Sequence, residues 1–343
     1  MNYNIMKKKF YSPSTILVFI IISLGTSVCN AQSKSSVDKD YIISNLQNTV
    51  VRIFLSQKFA PFTISSPNSD KDLNYKSNSK LNFGAGITYK NITGNFSYGF
   101  KFLNKDRGEG KTKGLDLQFH IFPHKWSVDL LGSFLTGYYL DPGDNNGLSL
   151  TNYYQRPDIK RNVVGFGLYR VPNADKFSYK AAVTQSEWQI KSAGSLLYGG
   201  EAYYGKIKGD SSLVPLKVYN NFTQAGVSDL HFFSVGIGGG YAYTLVIKEN
   251  FFVSGSVVGT VDGNFSSEAT GTNKKSKFTI VPGGQFKGSV GYNSNDWSVS
   301  TNFIGNALFS GSAYTSKRYF LPTGNMKFTV AKKIGTYKYK DFY

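Results

Sequence analysis

Over most of its length the chain alternates apolar and polar residues one by one, in stretches of about nine to eleven residues, the length a tilted strand needs to cross a bilayer. That period of two restricts it to half-buried β-strands. In the clearest stretch Leu81, Phe83, Ala85, Ile87 and Tyr89 share one face, and Asn82, Gly84, Gly86 and Thr88 the other. Beyond Lys90 and Asn91, Ile92, Gly94, Phe96, Tyr98, Phe100 and Phe102 alternate with Thr93, Asn95, Ser97, Gly99 and Lys101. Leu115, Leu117, Phe119 and Ile121 then alternate with Asp116, Gln118 and His120, and Trp126, Val128, Leu130, Gly132 and Phe134 continue the pattern.

A soluble sandwich also alternates, so the polar face has to discriminate. Here it holds Gly, Ser, Thr, Asn and Gln with few charges, while aromatics recur at the ends of the apolar face, as in a lipid-facing band with aromatic girdles. Composition agrees: aromatics are 16% of the chain, glycine contributes 36 residues and charged residues are only 17%. Soluble domains carry about 25% charged residues, a long helical bundle needs Ala, Leu, Glu and Lys in quantity, and disordered chains have few aromatics. The expectation is an all-β fold, a transmembrane antiparallel up-and-down β-barrel.

Further alternating segments fall at 49–59, 163–170, 177–190, 195–207, 232–246, 251–261, 278–292, 297–309 and 326–334. Counting gives thirteen strands, but a barrel whose two ends lie on one side of the membrane needs an even number. Twelve are expected, or fourteen if 211–220 adds one. Short turns at 90–91, 123–125, 248–250 and 294–296 alternate with long polar connectors at 104–113, 140–161, 208–229, 263–276 and 310–322. Outer-membrane barrels show that asymmetry between periplasmic turns and outward loops. No repeat of solenoid or propeller length is present.

The N-terminus reads as an address. Lys7, Lys8 and Lys9 precede the apolar run 16–24, and small and polar residues follow to Ala31. This is the pattern of a Sec signal peptide, and the run is too short to span a bilayer. A lipoprotein signal with Cys29 as the lipidated residue is the rival, but Val28 stands where such signals want a small residue. The expected organisation is a cleaved signal at 1–31, a periplasmic segment at 32–48 and an outer-membrane barrel at 49–343. Cleavage removes the one cysteine, and with it disulfide and thiol chemistry.

Two polar strips are candidates for the lumen. Gln185, Glu187 and Gln189 lie on one face of an expected strand, where a carboxylate between two amides suits either a solute contact or a structural network. The network is favoured, because a lone charge in a narrow lumen needs a partner, and Arg52 and Lys101 are the candidate partners. Asp116, Gln118 and His120 form the second strip. Asp116 lies about 13 Å from His120 along a strand and cannot orient it, so a lumen hydrogen bond is the favoured role. His124 and His231 have no carboxylate or second histidine at ligand spacing, and no G-x-S-x-G elbow is present. No catalytic residue, metal or cofactor is assigned. Arg156 and Asp158, in the 140–161 connector, are expected to pair or to fold into the mouth.

The formal net charge is +18. Export makes nucleic acid an unsuitable partner, whereas outer-membrane lipid and lipopolysaccharide present anionic phosphates. Lys274, Lys275, Lys277, Lys317 and Arg318 lie in expected outward connectors, where simple solvation explains them as well as an anion preference does.

RPDI at 156–159, KFSYKAA at 176–182, QSEWQIKSAGS at 185–195, GYAYTLVIK at 240–248 and TGN at 323–325 resemble one family pattern. It is that of an uncharacterised Bacteroidetes-type outer-membrane β-barrel family, a domain of unknown function (DUF4421-like). The resemblance runs from about Val51 to the end and implies a location and an architecture, without an activity or catalytic residues. Three functions are expected to compete: a porin-like channel or passive carrier for small solutes; a lipid-modifying or proteolytic enzyme on the barrel, with His120 or His231 as base; and a structural or docking protein.

Overall fold

The computed structural model describes residues 37–44, 49–68, 70–89, 92–104, 107–144 and 147–335. The expected signal segment, the 90–91 turn and the aromatic C-terminal residues from Tyr337 onward lie outside the described residues.

Twelve antiparallel strands form the wall. They are β1 (Thr49–Phe59), β2 (Leu81–Tyr89), β3 (Ile92–Tyr98), β4 (Lys113–Ile121), β5 (Trp126–Leu140), β6 (Tyr154–Arg170), β7 (Ala193–Lys208), β8 (Asp229–Ile247), β9 (Phe251–Thr270), β10 (Asn273–Asn293), β11 (Trp297–Ala307) and β12 (Thr323–Ile334). Every strand pairs with its chain neighbours, and β12 pairs with β1. The exception is β3 and β4, the two edges of the ladder, between which no pairing occurs among the described residues. At this seam the chain leaves β3 early: Lys101–Leu103 forms a 3-10 turn, and Asn104 caps the end of β2 by bonding both backbone groups of Leu81. Behind the seam Lys58 of β1 reaches the Asp116 carbonyl of β4 at 2.5 Å and its carboxylate at 3.4 Å.

Alternation places one set of side chains outside and the other inside. On β9 Phe251, Val253, Val257, Val261 and Phe265 are exposed, whereas Ser254, Ser256, Thr260, Asp262, Asn264 and Ser266 between them are buried. The other wall strands repeat this, so large apolar side chains cover the outside. An apolar surface of that extent in water would be opposed by about 25 cal/mol for each Å² left exposed; in lipid the penalty disappears. The protein is therefore built as a transmembrane β-barrel.

The wall has unequal height. Strands β5 to β10 run 15 to 21 residues, and β11, β12 and β1 to β4 run 7 to 12. The additional length lies at the end opposite the termini, here called the mouth. The expected connector 263–276 is in fact the upper part of the β9–β10 hairpin, which closes tightly at Gly271, whose φ is +59°. Polar residues can pair there as well as apolar ones, which is why composition mimics a loop. The 211–220 segment contributes a 3-10 turn, Leu216–Asn221, and no strand.

The connectors at the mouth fold inward. Phe62–Ile64, Leu73–Tyr75, Phe309–Gly311 and Arg318–Phe320 make a second sheet of four short strands inside the tall half. Phe62, Ile64, Leu73, Tyr75, Tyr319 and Leu321 pack there against Leu140, Ile159, Val163, Ile207, Leu230 and Phe232 of the wall.

At the opposite end one of the thirteen expected strands, 177–190, is not in the wall. Segment 171–192 enters the barrel as a plug, with a π-helical turn at Lys180–Thr184 and a reversal at Gln185, whose φ is +53°. Glu187–Gln189 then pairs with Ile42–Ser44. Its residues are buried on nearly every side, so no regular polar face exists to set it apart from a strand.

Candidate functional site

Between the two plugs lies a polar layer fixed by the wall. The register of β4 against β5 puts His120 opposite Asp129, and His120 Nδ1 is 2.5 Å from Asp129 Oδ1. From the far side of the lumen Lys287, on β10, donates to Asp129 Oδ2 at 2.9 Å and to the Ser127 hydroxyl at 3.0 Å. Gln285 on the same strand donates to Asp129 at 3.2 Å and to Asn306 at 3.1 Å. Four strands separate β5 from β10 around the wall, so these bonds cross the lumen. The ammonium of Lys287 also lies 5.0 Å from the Tyr179 ring centre and 5.4 Å from that of Phe122, a cation–π contact that ties the layer to the plug.

A second carboxylate stands beside it. Glu201 on β7 accepts from the hydroxyls of Tyr169 at 2.8 Å, Thr260 at 3.0 Å and Tyr203 at 3.4 Å. Asp262 faces the same space, with Oδ1 unpartnered in the protein. His120 Nε2 and Gln118 Nε2 are likewise buried without a protein partner. These three side chains keep hydrogen-bonding capacity that the protein itself does not use.

The first expected strip, Gln185, Glu187 and Gln189, belongs to the plug, and none of the three faces an open lumen. Glu187 accepts from Ser178 at 2.5 Å and sits 3.6 Å from Lys180. Gln189 accepts the Ser178 amide at 3.0 Å. The partner of Glu187 is thus local. Arg52 points inward on β1 and bonds Thr88, while Lys101 is exposed on the turn after β3. Neither reaches Glu187, whose carboxylate is buried in the plug beside Ser178 and Lys180. The wall grips the plug through Ser289 to the Ala182 carbonyl at 2.7 Å, Asn302 to Val183 at 3.2 Å and Asn293 to Glu187 at 3.0 Å.

The second strip, Asp116, Gln118 and His120, faces inward on β4. Ser133 donates to Asp116 at 3.1 Å. Arg156 and Asp158 lie on β6, not in a loop, and make a bidentate pair with both bonds at 2.8 Å; Arg156 also holds the Ser212 carbonyl at 2.8 Å. His231 is paired after all: Asp229 is 3.0 Å from Nε2 and Tyr204 3.3 Å from Nδ1, which leaves neither nitrogen for a substrate. Sequence reasoning missed Asp129, Lys287 and Glu201. Their inward parity was legible, but which walls meet across the lumen is not encoded locally. Among the described residues no group of three His, Cys, Asp or Glu side chains is placed to hold a metal.

A membrane barrel with an ion-paired polar layer between two internal plugs is the class that this geometry defines. The family model for DUF4421, a domain of unknown function, matches residues 36–331, and the chain belongs to that family. No curated protein sequence matches it. Among solved structures, the outer membrane protease OmpT of Escherichia coli is 10% identical, over 84% of this chain and 97% of that one, with a TM-score of 0.33. The translocator domain of autotransporter NalP from Neisseria meningitidis is 9% identical, over 95% and 98%, with a TM-score of 0.34. OprG of Pseudomonas aeruginosa is 12% identical, over 86% and 98%, with a TM-score of 0.22.

Proposed function

We propose that the protein is an integral barrel of a Gram-negative outer membrane, exported by its N-terminal signal, and that it acts as a gated passage for small polar solutes, closed in the form described. The Asp129–Lys287 pair carries this reading. A barrel whose task was purely structural would gain more from a packed apolar interior, since burying an ion pair seldom stabilises a fold beyond its apolar equivalent. Ionisable groups at membrane depth mark pathways for polar species by default. The inner sheet and the 171–192 plug are then the two gates, and the hydroxyl and amide lining between them is the selective part. This favours a carrier or gated channel over an open pore.

The test is conductance in planar bilayers. Wild-type protein is expected to stay mostly closed, and a variant with Phe177→Ala, Tyr179→Ala and Lys287→Ala to show discrete steps. Silence from both, with each still migrating as a folded barrel on unheated gels, would remove the passage.

A second reading rests on one observation: His120 is held by Asp129 with Nε2 unpartnered, the arrangement of a general base. It makes the barrel a lipid-modifying or proteolytic enzyme. Unchanged lipid A, phospholipid and envelope-protein profiles in a His120→Ala strain would eliminate it.

A further inference from the structure

The wall has a step beside β10. Strand β11 pairs with β10 only from Gly284 down to Asn293, because the chain turns inward after Ala307. Above Gly284, β10 keeps β9 on one side and, among the described residues, has no ladder partner on the other. Phe278 and Ile280 on this free stretch point outward and are 54% and 62% exposed, so part of a bare strand edge falls within the apolar band. Backbone groups in hydrocarbon must be covered or satisfied.

Two cavities flank the step. The lower one, about 320 Å³, opens on the outer face where Gly284, Gly305 and Ala307 leave space, and the Phe59, Phe286 and Phe303 rings wall it. Phe303 lies 5.7 Å from each of the other two rings. The upper one, about 180 Å³, is lined by the cations Lys277, Lys317 and Arg318 and by the hydroxyls of Thr279, Ser312 and Thr315. Among the described residues no carboxylate forms an ion pair with those three cations. Glu268, behind Ser312, is occupied by the Ser312 and Tyr319 hydroxyls and the Ala313 amide. Ile280 lines the upper cavity and Gly284 the lower, four residues apart on one strand, or about 13 Å.

We infer that this step is a binding site for a phosphorylated, acylated lipid of the outer leaflet, the lipid A part of lipopolysaccharide: phosphate in the upper cavity, an acyl chain in the lower groove and along the bare edge of β10. The charge of the upper cavity suits a phosphate and nothing apolar. The groove below it suits a hydrocarbon chain and nothing charged. Along β10 the cations lie toward the mouth and the groove toward the membrane centre; Lys277 and Thr279 stand opposite Ser266 and Asn264 on the inward face, so the phosphate enters over the step, where β11 no longer closes the wall, while the acyl chain stays outside. The inference rests on the outer-membrane placement proposed above, but it requires no passage through the lumen.

The experiment is native mass spectrometry of the detergent-purified full chain titrated with lipid A, with dephosphorylated lipid A and with inorganic phosphate. Wild type is expected to retain lipid A and to bind the dephosphorylated form at least about tenfold more weakly, because each cation near an anionic lipid headgroup adds to binding and all three lose their phosphate partner. Lys277→Ala, Lys317→Ala, Arg318→Ala should lose about as much for lipid A. Ala307→Leu, which fills the groove without touching the charges, should weaken lipid A and leave phosphate unaffected. Equal binding of both lipids, insensitivity to the cation variant, or full displacement by inorganic phosphate would overturn the assignment. Circular dichroism and unheated-gel migration confirm that each variant is folded, and a silent bilayer recording would not bear on the result.

Discussion

Asp129 on β5 and Lys287 on β10 meet across the lumen at 2.9 Å, although four wall strands separate them around the sheet. Lys287 is 4% exposed and Asp129 is 9% exposed, and His120, Ser127 and Gln285 complete their contacts. The pair therefore fixes the distance between opposite walls as well as lining the space between them.

Removing one partner strands the other. Lys287→Met should destabilise the barrel by about 3 kcal/mol, because it leaves a buried carboxylate facing only His120 and neutral donors. Asp129→Asn combined with Lys287→Met should recover most of that loss. Urea titrations in detergent, followed by loss of the unheated-gel form, measure both. If the double variant is no better than Lys287→Met, the charge pairing is not what holds the walls.

Glycine is required where an aromatic ring takes its place. A Cβ on Gly165 would lie 2.3 Å from the ring of Tyr203, its partner across the β6–β7 ladder. Gly165→Ala must push Tyr203 away from Glu201 and should cost about 1–3 kcal/mol. Gly259→Ala, on β9 with nothing within 4 Å of the added carbon, is the control and should change little. Parallel urea midpoints decide between them.

Within the plug, Glu187 joins the turn at Ser178 and Lys180 to the short strand that pairs with Ile42–Ser44. Glu187→Ala removes acceptors for Ser178 and Lys180, and limited proteolysis should then cut within 171–192 while the wall stays intact. Cleavage at the same rate in wild type would show that the plug opens regardless of this carboxylate.

At the mouth Lys76 joins Asp144 at 2.9 Å and Asp141 at 3.2 Å. The Gly143 amide, opposed by partial burial and aided by Lys76, holds the Asp141 carboxyl below the usual range. Burial draws the Lys76 ammonium down, but hydrogen bonds and charge from Asp144 and Asp141 outweigh it and hold it above the usual lysine range. A lowered acid contributes stability that is present above its unfolded pKa and is lost as pH falls through the folded one. A raised base contributes stability that is present below its unfolded pKa and is lost as pH rises through the folded one. The clamp should therefore hold from about pH 5 to about pH 9, within the ordinary ranges of both groups. Hydrogen exchange at residues 76 and 139, whose backbones are bridged, should stay protected there once corrected for intrinsic rate, and Lys76→Ala should abolish that protection. Protection retained by the variant would mean that the bridge stands without the ions.

Parity made the wall legible. Because side chains on a strand alternate strictly, the inward strip Asp116, Gln118 and His120 and the outward ring of aromatics follow from residue order, and the even-number rule gave twelve strands where counting gave thirteen. The same logic misled at 177–190 and at 263–276. The first segment is enclosed on all sides and has no solvent face to reveal its shape; the second pairs through backbone bonds that any side chain permits.

Residue order by itself determined a β chain with an apolar exterior, since a period of two is a local property and lipid accepts only paired strands. Tertiary structure alone decided that the lumen is filled, that Asp129 finds Lys287 across it, and that β10 stands taller than its neighbour. Those outcomes depend on how a curled sheet brings distant strands face to face and on which connectors fold inward, and both arise from long-range packing that no window of sequence contains.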